Sequence, residues 1–589
     1  MVLGLVMASA TLAAASIGPG IGLGASSSTV VTMQVPSATS LNVLGCPTNG
    51  PATAFGVVQP GTTAVTGAPC TVTWGSSNDT SMLRLFQEDR RGNAMYRLSD
   101  GTFDNGFNTD GVADGVNVIN PTAIAYDNEG RTLIAGWYEP AGDKVLAFTR
   151  LNPDGSPDLS CDTDGQAHVN ITVGQWDNAW AIAVDDAGNI LVGGGAGAFA
   201  EISAVVARFN ESDCSLDTTF GVGGVATPAT GGGNRIYAID VTDDGRILLG
   251  GINFWGAGLY RLRTDGQLDT TFSGDGVLQT SGDYLDVHTL RDGRIAAVGY
   301  DTAATQDAFV ELYSAAGVAD PGFNGGSRLT LTTAGGNDQL RAVDETPDGK
   351  LVVAGSTHRG VSAELHVARI LMNGTLDTTF NGTGEVVRVL AGDDVYRSVI
   401  AHGDGRVSAI GNVATGDDVF VARFNPDGSY DATLDGDGML VTGTGPGTGG
   451  FDSSSPGVIG NDGSYLVAGN GTPARALKLA SKGVIADYQD TVNDWNAGAS
   501  MIAACLSGTT GLNITATWTP AGTCDGIDTD PWYPIAVDGA GPTAKVAATT
   551  VSGTVGSQAH LRFGVRMTTG QAPDRYLAPL AFEVVAPAA

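Results

Sequence analysis

Positive charge is scarce in this chain. Thirty lysines and arginines face 62 aspartates and glutamates over 589 residues, a formal net charge of −32. A field of that sign repels nucleic acid and anionic lipid, so neither is expected as a partner. It suits solubility of an exported protein or, more specifically, cation binding. Histidine is also rare. His168, His288, His358, His366, His402 and His560 are scattered, and none stands beside a serine or cysteine motif of known chemistry. No C-x-x-C, G-x-S-x-G, H-E-x-x-H or phosphate-binding G-x-x-x-x-G-K-[ST] occurs. No catalytic residue can be nominated on that basis.

Long apolar runs are missing beyond the first residues, so no stable membrane span is expected in the mature chain. The opening "MVLGLVMASATLAAASIGPGIGLGASSS" (1–28) is apolar and has small residues near Ala25–Ser26 that suit a signal peptidase. Gly18-Pro19-Gly20 makes it a poor anchor. No Lys or Arg precedes Arg84, so the basic part of such a signal is expected upstream of Met1. Export to the medium or the cell surface is the expectation. Six cysteines agree with it. Nearness in sequence pairs Cys46 with Cys70, Cys161 with Cys214 and Cys505 with Cys524 as three disulfides, one of fifteen pairings possible in principle.

What the chain does have is glycine, 86 residues of it, much of it at a fixed place. Seven stretches read alike: "NEGRTLIAG" (128–136), "DAGNILVGG" (186–194), "DDGRILLGG" (243–251), "RDGRIAAVG" (291–299), "PDGKLVVAG" (347–355), "GDGRVSAIG" (403–411) and "NDGSYLVAG" (461–469). In each, a turn glycine is followed six residues later by a second glycine. A short alternating run precedes every turn, so the unit is a β-hairpin whose turn needs a positive φ. A second hairpin follows, with a strand such as "SAVVARF" or "LHVARIL", a turn such as "NPDGS", and then an L-D-T-T-F element. The aspartate of that element falls at Asp104, Asp158, Asp217, Asp269, Asp320, Asp377, Asp431 and Asp487. Its Leu and Phe are spaced to bury beside the sheet, and its Asp to tie down the turn.

Seven units of about 50–60 residues, four short strands each, predict an all-β, seven-bladed β-propeller over residues 93–487. The hairpin signal occurs seven times and the L-D-T-T-F signal eight, so residues 93–118 should complete the last blade near 455–487 and close the ring. "RFNPDGSYD", "RLRTDGQLDTTFSGDGV" and "PDGKLVVAG" resemble the delta-60 repeat of bacterial extracellular propellers. That resemblance implies a propeller and export, and implies no reaction. The flanks, 29–92 and 488–589, do not repeat but alternate apolar and polar residues as strands do. "QPGTTA" and "GQAPDRYLAPLAFEVV" resemble Ig-like sandwiches of bacterial surface proteins. The expectation is one sandwich built from both flanks with the propeller inserted in it; two separate domains are the alternative.

Two constellations are candidate sites. Ten or eleven residues before each turn glycine stands Asn120, Asn178, Asn234, Asp283, Asp338, Asp394 or Asp452. At the start of an innermost strand these would ring one mouth of the channel and could hold a cation or a sugar. Local capping of the loop is the other reading, and recurrence in every blade favours it. Asp162, Asp164, Asp435 and Asp437 lie in Asp-rich loops that resemble parts of calcium loops without the full ligand spacing, and calcium is the only cofactor they suggest. The expected role is a non-catalytic binding or display scaffold for an extracellular protein or glycan. The alternative is an extracellular carbohydrate-active enzyme using acidic residues at the channel mouth.

Overall fold

The computed structural model describes residues 98–388 and 395–442 with short gaps, together with strands in 23–96 and 457–585. Seven four-stranded antiparallel sheets make up the ring. The first strand of each sheet is Ile119–Tyr126, Trp176–Val184, Arg235–Val241, Asp283–Thr289, Gln339–Glu345, Val395–Ala401 and Gly457–Ile459 for blades I to VII. Each touches the first strand of the next blade, and that of blade VII touches that of blade I. These seven strands therefore surround a central channel, and the ring is closed. Closure is made by Val112–Val116, which pairs with Ala474–Leu479 as the outermost strand of blade VII.

There is no single core. Among the described residues of the ring the buried apolar side chains form seven clusters, one between each pair of neighbouring blades. Each blade is covered on both faces, so its middle strands read as continuous apolar runs. Val145–Leu151 is buried at every position. Such a strand cannot carry a charged residue without a partner, yet one arginine recurs near its end.

That arginine meets the aspartate of the L-D-T-T-F element. The guanidinium Nε lies 2.7 Å from the carboxylate in Arg150–Asp158, 2.8 Å in Arg261–Asp269 and Arg369–Asp377, and 2.7 Å in Arg423–Asp431. Arg208 Nη2 and Asp217 make the same pair at 2.7 Å. The residue following the first hairpin's turn glycine reaches the same carboxylate: Arg246 at 2.9 Å from Asp269, Lys350 at 2.9 Å from Asp377 and Arg406 at 2.9 Å from Asp431. The other carboxylate oxygen accepts the N–H and hydroxyl of the threonine two residues on, as Thr271 does for Asp269 at 3.0 and 2.7 Å. The two repeated sequence signals thus converge on one carboxylate. The arginine also donates across the blade boundary, Arg208 Nη1 to Thr264 O, Arg369 Nη1 to Pro426 O and Arg423 Nη1 to Ser99 O, each at 2.6 Å. Blade VII uses Lys478 and Asp104 instead, at 3.1 Å. The eighth aspartate, Asp487, ends strand Val484–Asp487, which pairs outside the ring.

The rest of the L-D-T-T-F element joins blades. Its Phe is buried in Phe107, Phe220, Phe272, Phe323 and Phe380, with Leu434 in blade VI. The residue after it adopts a left-handed conformation (Asn108 φ 48°, Ser273 49°, Asn324 45°, Asn381 52°) and donates its N–H to the next blade's second turn. One such bond crosses each of the seven junctions, from Asn108 N to Asp154 O at 2.6 Å round to Asp435 N to Asp100 O at 2.8 Å. The Phe packs under that turn's glycine: a Cβ on Gly317 would come within 2.8 Å of Phe272. At one junction both residues are replaced. Cys161 stands where the Phe would be and Cys214, at φ 57°, where the glycine would be, and they form a disulfide. The covalent bond substitutes for aromatic packing at the same place. Cys505–Cys524 is the second disulfide, and Cys46 lies outside the described residues.

Two further sheets, of six and seven strands, lie outside the ring. In one, Cys70–Gly75 and Thr63–Val65 pair with Ser557–Arg566, which also pairs with Met501–Thr510. In the other, Met82–Gln87 lies between Leu580–Val585 and Lys545–Thr549. Among the described residues no helix is long and apolar enough to cross a membrane.

Replacing Cys161 by Ser should cost on the order of 2–4 kcal/mol of stability, as reduction of the wild type should. The double variant Cys161→Phe/Cys214→Gly rebuilds the packing of the other junctions. It should melt closer to the oxidised wild type than Cys161→Ser does, and lose less on reduction than the wild type, since the Cys505–Cys524 bond is still there to be reduced. Melting curves with and without dithiothreitol check this; a double variant no better than the single one would refute the equivalence.

Candidate functional site

The second glycine of each repeat explains the geometry of the channel. A Cβ on Gly194, Gly251 or Gly299 would lie 1.8–1.9 Å from the carbonyl oxygen of Asn178, Arg235 or Asp283. The innermost strand presses its backbone onto this point because it bulges immediately after it. Its register shifts between Ala179 and Ala181, Ile236 and Ala238, Tyr284 and Asp286, Leu340 and Ala342, and Tyr396 and Ser398. The bulged residues are Trp180, Tyr237, Leu285, Arg341 and Arg397, and bulges of this kind re-aim a side chain.

The bulge also sorts the expected ring of Asn and Asp. Asn178 and Asp283 stand two residues before the bulge, where blades III and V carry Arg235 and Gln339. Asn234 and Asp338 stand three before it, and on a strand that one-residue offset reverses the face. Asp338 is buried and accepts Thr357 Oγ1 at 2.7 Å and His358 N at 2.8 Å. Its counterpart in blade II, Asp177, accepts Ile171 N and Thr172 N at 2.7 and 2.9 Å. Asn234 is buried beside a backbone bond to Ile202 O. These are capping roles. Asn120 lies in the first strand of blade I, and Asp394 and Asp452 fall outside the described residues.

Asp283 is different, because it belongs to a cluster at the mouth. Its carboxyl is raised by burial, against hydrogen bonding from the Tyr300 hydroxyl and attraction to Arg235. Trp180 and Tyr237 meet edge to face, centroids 5.7 Å apart, and Arg235 lies 5.6 Å from the Trp180 ring. Arg341, from blade V, is close enough to Tyr237 and Tyr300, from blades III and IV, to interact with both. Blades III and V both flank blade IV, so the group spans three consecutive blades. Burial raises both phenols, which stay protonated as donors. All six side chains are half-buried. Trp176, at the start of the same strand as Trp180, is 52% exposed, and Lys144 lies between it and Trp137 at 4.7 and 4.5 Å from the ring centres.

Roughly 10 Å further along the strands, a second group lines the channel. His288 stands between Asp240 (3.9 Å) and Asp344 (3.6 Å). Asp286 accepts Val343 N and Val287 N at 2.9 Å each, and Asp344 accepts Ala401 N at 2.7 Å. Asp240 likewise accepts Thr289 N. These carboxylates staple one inner strand to the next. Burial pushes Asp286 up to about 7, against those N–H bonds and the nearby His288. Burial disfavours a charged His288, but Asp344, Asp240 and Asp286 outweigh it and raise its pKa.

The candidate calcium residues serve turns. Asp162 and Asp435 hold the left-handed junction position, and each donates its N–H to the next blade. Asp164 and Asp437 each accept a backbone N–H at 2.9 Å, from Gln166 and Met439. Among the described residues no group of three His, Cys, Asp or Glu side chains is arranged to hold a metal ion.

A carboxyl raised in the fold binds its proton more tightly folded than unfolded, so stability falls as pH rises from about 4 through 7. The raised His288 acts in the same direction above its unfolded value. Asp286→Asn should therefore flatten the decline in melting temperature between pH 5 and 8. An unchanged slope would mean that this channel group does not titrate there.

A family model agrees on the propeller repeats. Residues 129–160, 242–272, 346–380 and 402–434 match the family model described as "Domain of unknown function (DUF5122) beta-propeller". Each match runs from the first hairpin turn to the end of the L-D-T-T-F element. No curated protein matches the chain. Similar solved structures include virginiamycin B lyase from Staphylococcus aureus, 8% identical, covering 63% of this chain and 99% of that one at a TM-score of 0.37. Sqt1 from Chaetomium thermophilum is 13% identical over 66% of this chain and 99% of its own, at 0.36. A putative oxidoreductase (glucose dehydrogenase) from Thermus thermophilus is 13% identical over 63% and 99%, at 0.31. Likeness of this degree carries no inference about activity. What the repeats establish is a seven-bladed β-propeller with DUF5122-type units.

Proposed function

We propose that this protein is a non-catalytic binding or display scaffold that works outside the cell, with the mouth at Trp180, Tyr237 and Arg341 as its recognition surface. The observation that carries this reading is the bulge row. Eight residues before each turn glycine stand Thr122, Trp180, Tyr237, Leu285, Arg341, Arg397 and Ser455. Architecture repeats from blade to blade, whereas this row changes, as a surface shaped for one asymmetric ligand must. Exposed Trp176 extends the aromatic surface on the same side. Two disulfides suit an oxidising compartment, and the apolar N-terminus suits export. The repeat is of the delta-60 kind. The partner is an extracellular glycan or protein.

The enzymatic alternative finds less support. An acid–base pair needs carboxylates free to meet a substrate. Asp240, Asp286 and Asp344 each accept a backbone N–H of the next inner strand.

We also propose that the flanks form one Ig-like unit into which the propeller is inserted. Pairing of Cys70–Gly75 with Ser557–Arg566, and of Met82–Gln87 with Leu580–Val585, supports it. After proteolytic cleavage near either end of the propeller, the two flanking pieces should stay together on a sizing column; their separation would favour two domains.

A glycan array probed with and without calcium tests the recognition reading. Binding should be lost in Trp180→Ala and Tyr237→Ala variants that keep the wild-type melting profile. Binding untouched by both would move recognition away from the mouth.

A further inference from the structure

We propose that the channel mouth takes a small sugar bearing a single carboxylate, a uronic acid, with Arg341 as the group that pairs with the carboxylate. The inference rests on the mouth being the recognition surface and adds the chemistry of its ligand.

The argument begins with arginine as this fold uses it elsewhere. Arg150, Arg208, Arg261, Arg369 and Arg423 are buried or nearly so, and each faces a carboxylate within 2.8 Å. A chain with 62 acidic residues against 30 basic ones has carboxylates to spare. Arg341 differs from these five in having no carboxylate within ion-pair distance among the described residues. Its Nε has no hydrogen-bond partner among the described residues, and the groups that act on it electrostatically are two phenols, Tyr300 and Tyr237. Desolvating a guanidinium without a counter-ion is costly. The cost is recovered when a ligand supplies the anion.

The orientation of Arg341 is fixed. Its Nη2 donates to Gln339 Oε1 at 2.6 Å, and Gln339 Nε2 in turn donates to Gln306 Oε1 at 2.7 Å. A guanidinium so held presents its remaining N–H groups in one direction, the geometry that a carboxylate accepts as a pair. Asp283 does not neutralise it, since that carboxylate is engaged by Tyr300 and Arg235. Among Arg235, Arg341 and Asp283 one positive charge is left over. One carboxylate balances it.

The remaining surface decides what carries the carboxylate. Trp180 and Tyr237 meet edge to face, Arg235 lies over the Trp180 ring, and the protonated Tyr237 and Tyr300 hydroxyls are donors. Aromatic face, hydroxyl donor and guanidinium together match the C–H face, hydroxyls and carboxylate of a pyranose acid. A polyanion fits badly, because a net charge of −32 repels it outside this one spot. A mono- or disaccharide acid carries a single charge to the single site.

Isothermal titration of the full chain with glucuronate, glucose and acetate separates the contributions. Glucuronate should bind at least tenfold more tightly than either of the others. Arg341→Gln should abolish that preference, Arg341→Lys should keep part of it, and Trp180→Ala should weaken glucuronate binding tenfold or more; a thermal melt of each variant checks that it is folded. Glucose binding as tightly as glucuronate, with sensitivity to Trp180→Ala, would overturn the anionic ligand and leave the recognition surface standing. Glucuronate binding indifferent to both Arg341→Gln and Trp180→Ala would overturn both. Acetate equal to glucuronate would show a bare carboxylate site and overturn the sugar. No binding of any of the three would overturn the proposal.

Discussion

The ring depends on one kind of contact: a buried carboxylate that gathers cations from two hairpins of its blade. The paired arginine then spends its other nitrogens on a backbone carbonyl of the next blade. An apolar slab between blades resists separation but is indifferent to sliding, since hydrophobic contact has no direction. The Arg–Asp pair, its threonine cap and the cross-boundary bond fix the slabs in angle and height. Buried ion pairs add little net stability, but loss of one partner is expensive, on the order of 3–5 kcal/mol. The contact therefore acts as a specification of geometry. Blade IV shows that the specification tolerates variation, for Leu312 occupies the arginine's place and Asp320 relies on Arg294 alone, at 2.8 Å.

Much of this was legible in the amino-acid order because it rests on local chemistry. Turn glycines such as Gly245 have a positive φ of 76°. The second glycines give room to a carbonyl. The Leu-Asp-Thr-Thr-Phe string survives because each part has a separate task. The count of seven against eight announced the closing strand, although Asp104 rather than Asp487 proved to be the one used in blade VII.

The site was less legible for a physical reason. Spacing from the turn glycine varies between ten and eleven for the Asn and Asp residues, and only the bulge shows that this is a change of face. Asn178 and Asp283 fall in one row, Asn234 and Asp338 in another. The bulge row itself keeps its spacing but not its residue type, so similarity between repeats conceals it. Arg341 could have been flagged only by aligning the repeats on glycine and asking which column disagrees. His288 between two aspartates is likewise a feature of adjacent blades, invisible along a single strand.

Closure by Val112–Val116 has a consequence for the order in which the molecule can be made. A chain that emerges from its N-terminus releases this strand first, yet its partner Ala474–Leu479 lies more than 350 residues later. Blades can form one after another as neighbours, each supported on one side. The last junction must wait, and until then an open edge faces solvent at either end of the growing arc. The final pairing converts a string of locally stable units into a cooperative whole, because opening any single junction then requires breaking a second one elsewhere or straining all the others. Timing of assembly and resistance to unravelling are thus set by one five-residue strand.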